Sequence, residues 1–289
     1  MILVGTDRGL FALDGSARLP ESEVTWLAPG SKGFWAVVDG RVLRPDGTFA
    51  DREGPEPTCV APTSHGVLVG LPEAGLERLD DGPVRGFTDI PGREGWYTPW
   101  GGPPDTRSVA ESTDGTLHVN VHVGGIPRSR DGGATWEPTI DIATDVHQVL
   151  AHPQDPNVVL AAAAVGLCVS RDGGDSYSHR DDGLHSSYAR AVAVAGDRVL
   201  VTASTGPSGG QAALYRGPIA LDRPFEKCTS GLPEWFHDNI DTGCLTADGD
   251  TVAFGTGEGD VYVSEDAGAT WERAVTGLPR VLAVCSVGR

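Results

Sequence analysis

The sequence has little positive charge and no long apolar run. Lysine occurs only at Lys32 and Lys227, and the formal net charge is −18. A polyanion repels nucleic-acid phosphates and anionic lipid surfaces, so we expect neither nucleic acid nor membrane as a partner. No segment approaches the roughly 20 apolar residues that span a bilayer. The opening stretch MILVGTDRGLFALD has no basic segment and reaches a charge at Asp7, which is not typical of a secretion signal.

The chain also lacks paired cysteine motifs. Its five cysteines are odd in number, are widely spaced and form no C-x-x-C: Cys59, Cys168, Cys228, Cys244 and Cys285. This spacing argues against a disulfide framework. We therefore expect reduced, buried cysteines in a cytoplasmic protein.

Glycine and proline are abundant, and one short stretch repeats. The 40 glycines and 21 prolines are spread along the chain, which favours many short strands joined by turns. SRDGGATW (129–136) returns as SRDGGDSY (170–177) and SEDAGATW (264–271). The first two copies lie one period of about 40 residues apart and the third about two periods further on, which is typical of β-propellers.

Strand-like runs recur with the same period. Six copies join an apolar run that ends in a polar turn to a second run that ends in glycine, as in TWLAPGSKG followed by GFWAVVDG. A seventh copy is split between RVLAVCSV (280–287) and MILVGTDRG. We predict one all-β domain over residues 1–289, a seven-bladed β-propeller of four-stranded antiparallel blades. Strands from the N- and C-terminal segments would share one blade and close the ring.

The repeated stretch, S-x-D-x-G-x-[ST]-aromatic, resembles the Asp-box (BNR repeat) of propellers such as sialidases, sortilin-type receptors and photosystem assembly factors. The resemblance implies a hairpin between the third and fourth strands, on the face away from the usual ligand site. We expect a structural role, with Asp and Ser bonding the turn, Gly freeing the backbone and the aromatic ring packing. A calcium or catalytic role for the aspartates is the alternative. The residues are Ser129, Asp131, Gly133, Trp136, Ser170, Asp172, Gly174, Tyr177, Ser264, Asp266, Gly268 and Trp271.

The first residues of the inner strands suggest a ligand site at the mouth of the ring. Aligning the seven copies places these residues at equivalent positions: Thr25, Thr58, Arg107, His147, Arg190, Asp241 and Arg280. Converging guanidiniums suit carboxylate, phosphate or sulfate groups, which they bind with forked hydrogen bonds. Alternatively, the arginines pair with Asp105, Asp145 or Asp241 and hold blades together.

Aromatic residues lie on loops that we place at the same face. The loop 90–105 carries Trp96, Tyr97 and Trp100, and the loop 231–239 carries Trp235, Phe236 and His237. Together with Tyr188, these side chains could form ligand-binding walls, because loops carry function and rings stack on flat ligands. They could equally plug the channel or cover the blade ends.

Histidines gather in the same region: His118, His122, His147, His185 and His237. Histidines from adjacent blades can form a zinc-type or iron-type site. No pair has a recognised metal-binding spacing, however. We therefore expect hydrogen-bonded histidines, His122 and His237 being candidate ligand contacts, and we predict no metal and no cofactor.

Enzymatic motifs are incomplete. GPSGG (206–210) matches the pattern of a nucleophile elbow, but a strand is predicted where the elbow needs a helix. The early R-I-P motif of sialidases is missing from the N-terminal region. The leading hypothesis is a protein that binds a small anionic or sugar-like ligand. The alternatives are a glycosidase-like hydrolase or lyase that uses His147 and Asp241 for proton transfer, and a scaffold that binds a protein partner.

Overall fold

Short strands separated by turns make up the computed structural model, which describes residues 1–288. Its strands are β1 (Ile2–Thr6), β2 (Gly9–Ala12), β3 (Ala17–Pro20), β4 (Val24–Gly30), β5 (Gly33–Val38), β6 (Arg41–Leu43), β7 (Cys59–Thr63), β8 (Gly66–Leu71), β9 (Gly75–Arg78), β10 (Gly82–Pro83), β11 (Thr106–Glu111), β12 (Leu117–Val121), β13 (Pro127–Ser129), β14 (Glu137–Pro138), β15 (Val146–Ala151), β16 (Val159–Ala163), β17 (Gly166–Ser170), β18 (Ser178–Arg180), β19 (Tyr188–Ala195), β20 (Arg198–Ser204), β21 (Ala213–Pro218), β22 (Glu226–Lys227), β23 (Leu245–Asp248), β24 (Thr251–Gly255), β25 (Val261–Ser264), β26 (Glu272–Val275) and β27 (Val281–Ser286).

Helical structure is limited to single turns. Within the described residues these are the 3₁₀ turns Arg85–Asp89, Arg93–Gly95 and Ile142–Thr144. No helix in this part of the chain has the length and apolar character needed to cross a membrane.

The strands form seven antiparallel sheets, which confirms the predicted seven-bladed propeller. We number the blades in chain order. Blade 1 is β4–β6, blade 2 is β7–β10, blade 3 is β11–β14, blade 4 is β15–β18, blade 5 is β19–β22, blade 6 is β23–β26, and blade 7 is β27 with β1–β3. The first-named strand of each blade is the inner one, and inner strands contact each other in ring order, β27 against β4 included.

Blade 7 closes the ring as predicted. Its inner strand β27 pairs with β1, with Leu3 opposite Cys285 and Val4 opposite Val284. Segments from the two ends of the chain therefore share one sheet, and no inner edge is left unpaired in this blade.

Blade 1 departs from the prediction because it has three strands. The segment after β6 forms only one isolated bridge, between Leu43 and Phe49. Prolines follow at Pro45, Pro55 and Pro57. Proline has no amide N–H to donate to a neighbouring strand, so this segment is a poor fourth strand.

Apolar strands pack blade against blade. All five residues of β16 are buried, because both faces of the strand lie against neighbouring sheets. Blades 6 and 7 approach closely at Gly255, where an added Cβ would lie 2.3 Å from Val281 Cγ1. In blade 6, Phe254 is fully buried, and its ring centroid lies 5.1 Å from those of Tyr262 and Trp271.

The three repeated stretches form hairpin turns between third and fourth strands. In blade 3, Ser129 Oγ donates to Asp131 Oδ1 at 2.8 Å and accepts from Gly133 N at 2.8 Å. Asp131 also accepts from the N and Oγ1 of Thr135, and the Trp136 indole donates to Gly133 O. Corresponding bonds are made in blade 4 by Ser170, Asp172, Gly174 and Ser176, and in blade 6 by Ser264, Asp266, Gly268, Thr270 and Trp271. Tyr177, the aromatic of the blade 4 turn, packs against buried apolar residues.

The five cysteines are buried and free. Burial raises the pKa of Cys59 to about 12, so its thiol stays protonated at neutral pH. The cytoplasmic location itself stays a prediction.

Candidate functional site

The inner strands of several blades carry a β-bulge near the same end. In blade 3, Thr106 lies opposite Val121 and Ser108 lies opposite Asn120, which leaves Arg107 unpaired between them. Equivalent shifts leave out Thr25 in blade 1, His147 in blade 4, and Arg190 with Ala191 in blade 5. A bulge bends the strand and redirects the side chain of the extra residue. Local backbone irregularity therefore presents these side chains at one end of the ring.

A cavity of about 400 Å³ lies at this end, and we name it the mouth cavity. Five blades contribute to its wall. The lining residues are Thr25, Trp26, Pro57, Thr58, Asp105, Arg107, Arg190, Asp241 and Thr242. Among the sequence-predicted site residues, the structure thus brings Arg107, Arg190 and Asp241 together.

Trp26 forms the floor of the mouth cavity. Its indole N–H donates to Val60 O of the neighbouring blade 2 at 3.0 Å. Its ring lies against Gly243, where an added Cβ would be 3.3 Å from Trp26 Cζ3. Trp26 also lines a second cavity of about 260 Å³ among the inner strands, so this residue lies between the two spaces. Sequence reasoning missed this residue, although it directly follows the bulge residue Thr25.

One of the two arginines in the cavity is paired. Arg190 Nε donates to Asp241 Oδ1 at 2.6 Å, and Arg190 Nη1 lies 3.5 Å from the Tyr188 hydroxyl. For Arg190, the structure therefore has the blade-to-blade ion pair that was the alternative to ligand binding. Asp241, one of the two residues predicted to transfer protons, is held in the same pair.

Arg107 is different. In residues 1–288, no carboxylate oxygen lies within 4.0 Å of its guanidinium nitrogens, and no hydrogen bond holds it. Burial lowers the pKa of Arg107, the nearby Arg190 charge adds to this, and Asp105 and Asp145 oppose it. The wall of the mouth cavity therefore carries a partly desolvated cation with unused donors.

Arg280 does not join them, which corrects the prediction of three converging arginines. Its Nη1 lies 3.6 Å from Asp238 Oδ2, and its half-exposed side chain is outside the cavity lining. In blade 7 the register shift passes over Leu282, between Val281 and Ala283. The structural equivalent of Arg107 in this blade is thus a leucine, two residues beyond Arg280.

His147 is also placed differently from the prediction. It is 0% exposed and is not part of the cavity lining, so a proton-transfer role toward a ligand there is wrong. Its Nδ1 lies 2.6 Å from Ala189 O, and its Nε2 lies 3.7 Å from Asp145 Oδ2. The Tyr188 ring packs beside it, with centroids 4.8 Å apart.

His122 approaches the same carboxylate from blade 3. Its Nε2 lies 2.8 Å from Asp145 Oδ1. Burial lowers the pKa of His122, although Asp145 opposes this effect, so the imidazole is neutral at pH 7. We call His122, Asp145 and His147 the His–Asp–His group.

His118 takes no part in the His–Asp–His group. It bonds Ser112 Oγ at 3.1 Å near the repeated turn of blade 4, and burial lowers its pKa to about 4.

The loop 90–105 divides between core and surface. Trp96 is only 6% exposed and packs beside Phe87 in the core between blades 2 and 3, so its predicted role as a cavity wall is wrong. Tyr97 and Trp100 are 62% and 66% exposed. The Trp100 ring lies 5.1 Å from the His122 ring, and Trp100 thereby covers one side of the His–Asp–His group.

The loop 231–239 contributes nothing to the mouth cavity, which corrects its predicted role. Trp235 packs against His185 at 4.7 Å between ring centroids, with Lys227 over its face. His237 is exposed, and its Nδ1 lies 2.7 Å from Asp238 Oδ1, which raises the pKa of the imidazole.

Comparison with known proteins supports the fold alone. No family model matches the sequence, and no curated protein matches it. The WD40 β-propeller domain of Doa1 is 13% identical with a TM-score of 0.62, over 96% of this chain and 86% of that one. The computationally designed Ika8 protein is 14% identical, with a TM-score of 0.59 and the same coverage.

A glycoside hydrolase is also among the similar structures. The GH74 xyloglucanase from Xanthomonas campestris is 14% identical with a TM-score of 0.53. The match covers 93% of this chain but only 45% of the enzyme, so this chain spans less than half of its length. The structural neighbours thus include both a WD40 propeller domain and an enzyme.

Proposed function

We propose that the protein binds a small anion in the mouth cavity, with the anionic group on Arg107. The observation that carries this proposal is the half-buried Arg107 guanidinium, which has no carboxylate partner within residues 1–288 and faces a cavity of about 400 Å³. That volume suits a small molecule. A planar, forked guanidinium favours a carboxylate, phosphate or sulfate group.

The rest of the wall favours a ligand that also carries hydroxyl groups. Asp105 offers a carboxylate acceptor, and Trp26 and Pro57 offer apolar surface. The hydroxyls of Thr58 and Thr242 donate to backbone carbonyls, so toward the cavity they act as acceptors. An acid that also carries hydroxyl groups, such as a sugar acid, matches a cavity wall with one unpaired cation and several hydrogen-bond acceptors.

Calorimetry with a defined set of probes tests this proposal. Glucuronate, gluconate, sulfate and phosphate are titrated into the protein, with neutral glucose as the uncharged control. At least one anion should bind and glucose should not. Arg107→Gln should weaken the binding at least ten-fold, because it removes a charge-assisted bond.

Arg280→Gln is the matched control, because it removes the same charge outside the mouth cavity and should leave the affinity unchanged. Absence of binding by every anion would contradict the proposal. Equal effects of Arg107→Gln and Arg280→Gln would contradict it as well.

A protein partner is the second candidate, and one observation favours it. Tyr97 and Trp100 are large aromatic side chains left exposed on one loop. Aromatic residues are enriched in the centres of protein interfaces. A photo-crosslinking amino acid in place of Tyr97 should then give one discrete product in cells, and Trp100→Ala should reduce that product. A diffuse set of products, unchanged by Trp100→Ala, would contradict this role.

A further inference from the structure

We propose that His122, Asp145 and His147 form a binding site for a divalent transition-metal ion of the zinc or iron(II) class. This site is independent of the proposed anion binding, because the three ligands belong to blades 3 and 4 and are not part of the mouth-cavity lining. One nitrogen or carboxylate oxygen from each residue lies within 4.8 Å of the others.

The distances suit a common ion. His122 Nε2 and Asp145 Oδ1 are 2.8 Å apart, and His147 Nε2 and Asp145 Oδ2 are 3.7 Å apart. Two ligands that each lie about 2.1 Å from one ion are separated by about 3.0–3.4 Å in octahedral or tetrahedral geometry. The two separations involve different oxygens of Asp145 and fall on both sides of that range, so a common centre requires side-chain adjustments.

Two atoms of the group are buried without a hydrogen-bond partner in residues 1–288. They are His147 Nε2 and Asp145 Oδ1. The 2.8 Å contact from His122 is short, but its geometry is not that of a hydrogen bond, and 3.7 Å is too long for one. Buried polar atoms are normally satisfied, so unpartnered ligand atoms within 4.8 Å of one another indicate a missing partner. A metal ion would supply that partner.

The tautomer of His147 is suited to metal binding. Its Nδ1 donates to Ala189 O at 2.6 Å, which in a neutral imidazole leaves the lone pair on Nε2, toward Asp145. Ligating histidines commonly donate their other nitrogen in this way, which fixes the orientation of the ring. Ala189 thus positions the ligand from blade 5.

Asp145 is held by an unusual backbone conformation. It follows the 3₁₀ turn Ile142–Thr144 and has φ = 51°, in the left-handed region that non-glycine residues rarely adopt. Its carbonyl accepts from Ala164 N at 3.0 Å. The strain places the carboxylate between the two imidazoles, where His147 reaches it from the bulge in β15.

The ligand types select the ion. Two imidazoles and one carboxylate suit zinc or iron(II), whereas calcium and magnesium prefer sites made of oxygen. Three protein ligands leave coordination positions open to water or another ligand.

Titration of the metal alone tests the site. Protein freed of metal with a chelator is dialysed and titrated with zinc chloride by calorimetry, without any organic anion. Cobalt(II) chloride serves as the spectroscopic probe. We expect one tight equivalent of zinc, and a cobalt visible spectrum more intense than that of the aqueous ion. Zinc should also raise the Tm of the wild-type protein.

Variants locate the binding. Asp145→Asn and His122→Gln should each weaken zinc binding at least 100-fold and abolish the rise in Tm. His237→Gln, which removes an exposed imidazole outside the group, should have no effect. Circular dichroism of the metal-free proteins verifies that each variant is folded. If His122→Gln does not fold, the near-isosteric Asp145→Asn alone tests the site. Zinc affinity in Asp145→Asn equal to that of the wild type, or no tight equivalent at all, would overturn the proposal. Neither result depends on whether an anion binds.

Discussion

The charges around the mouth cavity predict opposite effects for two substitutions. Arg107 has no partner, whereas Arg190 is paired with Asp241 at 2.6 Å. An anion in the cavity is attracted by Arg107 and repelled by Asp241. Arg107→Gln should therefore weaken the binding of the anion. Asp241→Asn should strengthen it, because it removes a negative charge and releases Arg190 as a second donor.

The size of the cavity determines how strongly Asp241 repels a bound anion. A sphere of 400 Å³ has a radius of about 4.6 Å, so an anion at its centre lies about 6 Å from the charged groups. Repulsion from Asp241 at that distance is about 0.7 kcal/mol in bulk water and about 2.8 kcal/mol at an effective dielectric constant of about 20. Asp241→Asn should thus tighten binding by about 3-fold to 100-fold. Loss of a charge-assisted bond of about 1.5–3 kcal/mol in Arg107→Gln weakens it by about 10-fold to 150-fold.

Calorimetry measures these changes in affinity. The wild type, both variants and Arg280→Gln are compared at one pH and one ionic strength. The result that decides is whether Asp241→Asn raises or lowers the affinity for the anion. If this variant binds the anion more weakly, Asp241 accepts hydrogen bonds from the ligand instead of repelling it. The electrostatic reasoning would then be refuted, and recognition of a sugar hydroxyl by Asp241 would take its place.

Three further predictions concern the floor, the core and the repeated turns. Trp26→Ala joins the mouth cavity to the second cavity and should weaken anion binding about ten-fold by calorimetry, since the ligand loses its apolar floor; unchanged affinity would contradict this. Phe254→Ala should destabilise the protein by about 3–5 kcal/mol and lower the Tm by roughly 10 °C in calorimetric scans, because the ring is fully buried among aromatics; a loss below about 3 °C would contradict it. Hydrogen bonds from Thr135 lower the pKa of Asp131 from 3.8 to about 2, so the stability it contributes is present above about pH 4 and is lost as the pH falls toward 2. Urea denaturation should therefore show a larger difference between the wild type and Asp131→Asn at pH 5 than at pH 2.5, and equal differences would contradict the assignment.

The fold followed from the sequence because its signals are periodic. Repeated turns and paired apolar runs determine the number of blades, and the split copy determines which strands close the ring. Pro45, Pro55 and Pro57 disfavour a fourth strand in blade 1, but the regular repeat predicted one there.

The site was only partly predictable, for physical reasons. Alignment by residue type predicted that Arg280 is the equivalent of Arg107. The equivalent position is set by the β-bulge, which depends on backbone hydrogen bonding. In blade 7 the bulge lies at Leu282. Trp96 lies on a loop, yet the 3₁₀ turn Arg93–Gly95 directs it into the core against Phe87. His122 and His147 have no motif spacing, since a blade boundary brings them together.

At the bulges, the side chain can vary without changing the fold of the blade. A bulge needs a backbone conformation but not a particular side chain, and in this ring its position holds Thr25, Arg107, His147 or Leu282. The strands on either side are buried and must stay apolar. The bulge residues lie near the beginning of the inner strands, where Thr25 and Arg107 line the mouth cavity, whereas His147 is buried and hydrogen-bonded. The polarity of the mouth cavity therefore depends on a few positions that the repeat does not constrain.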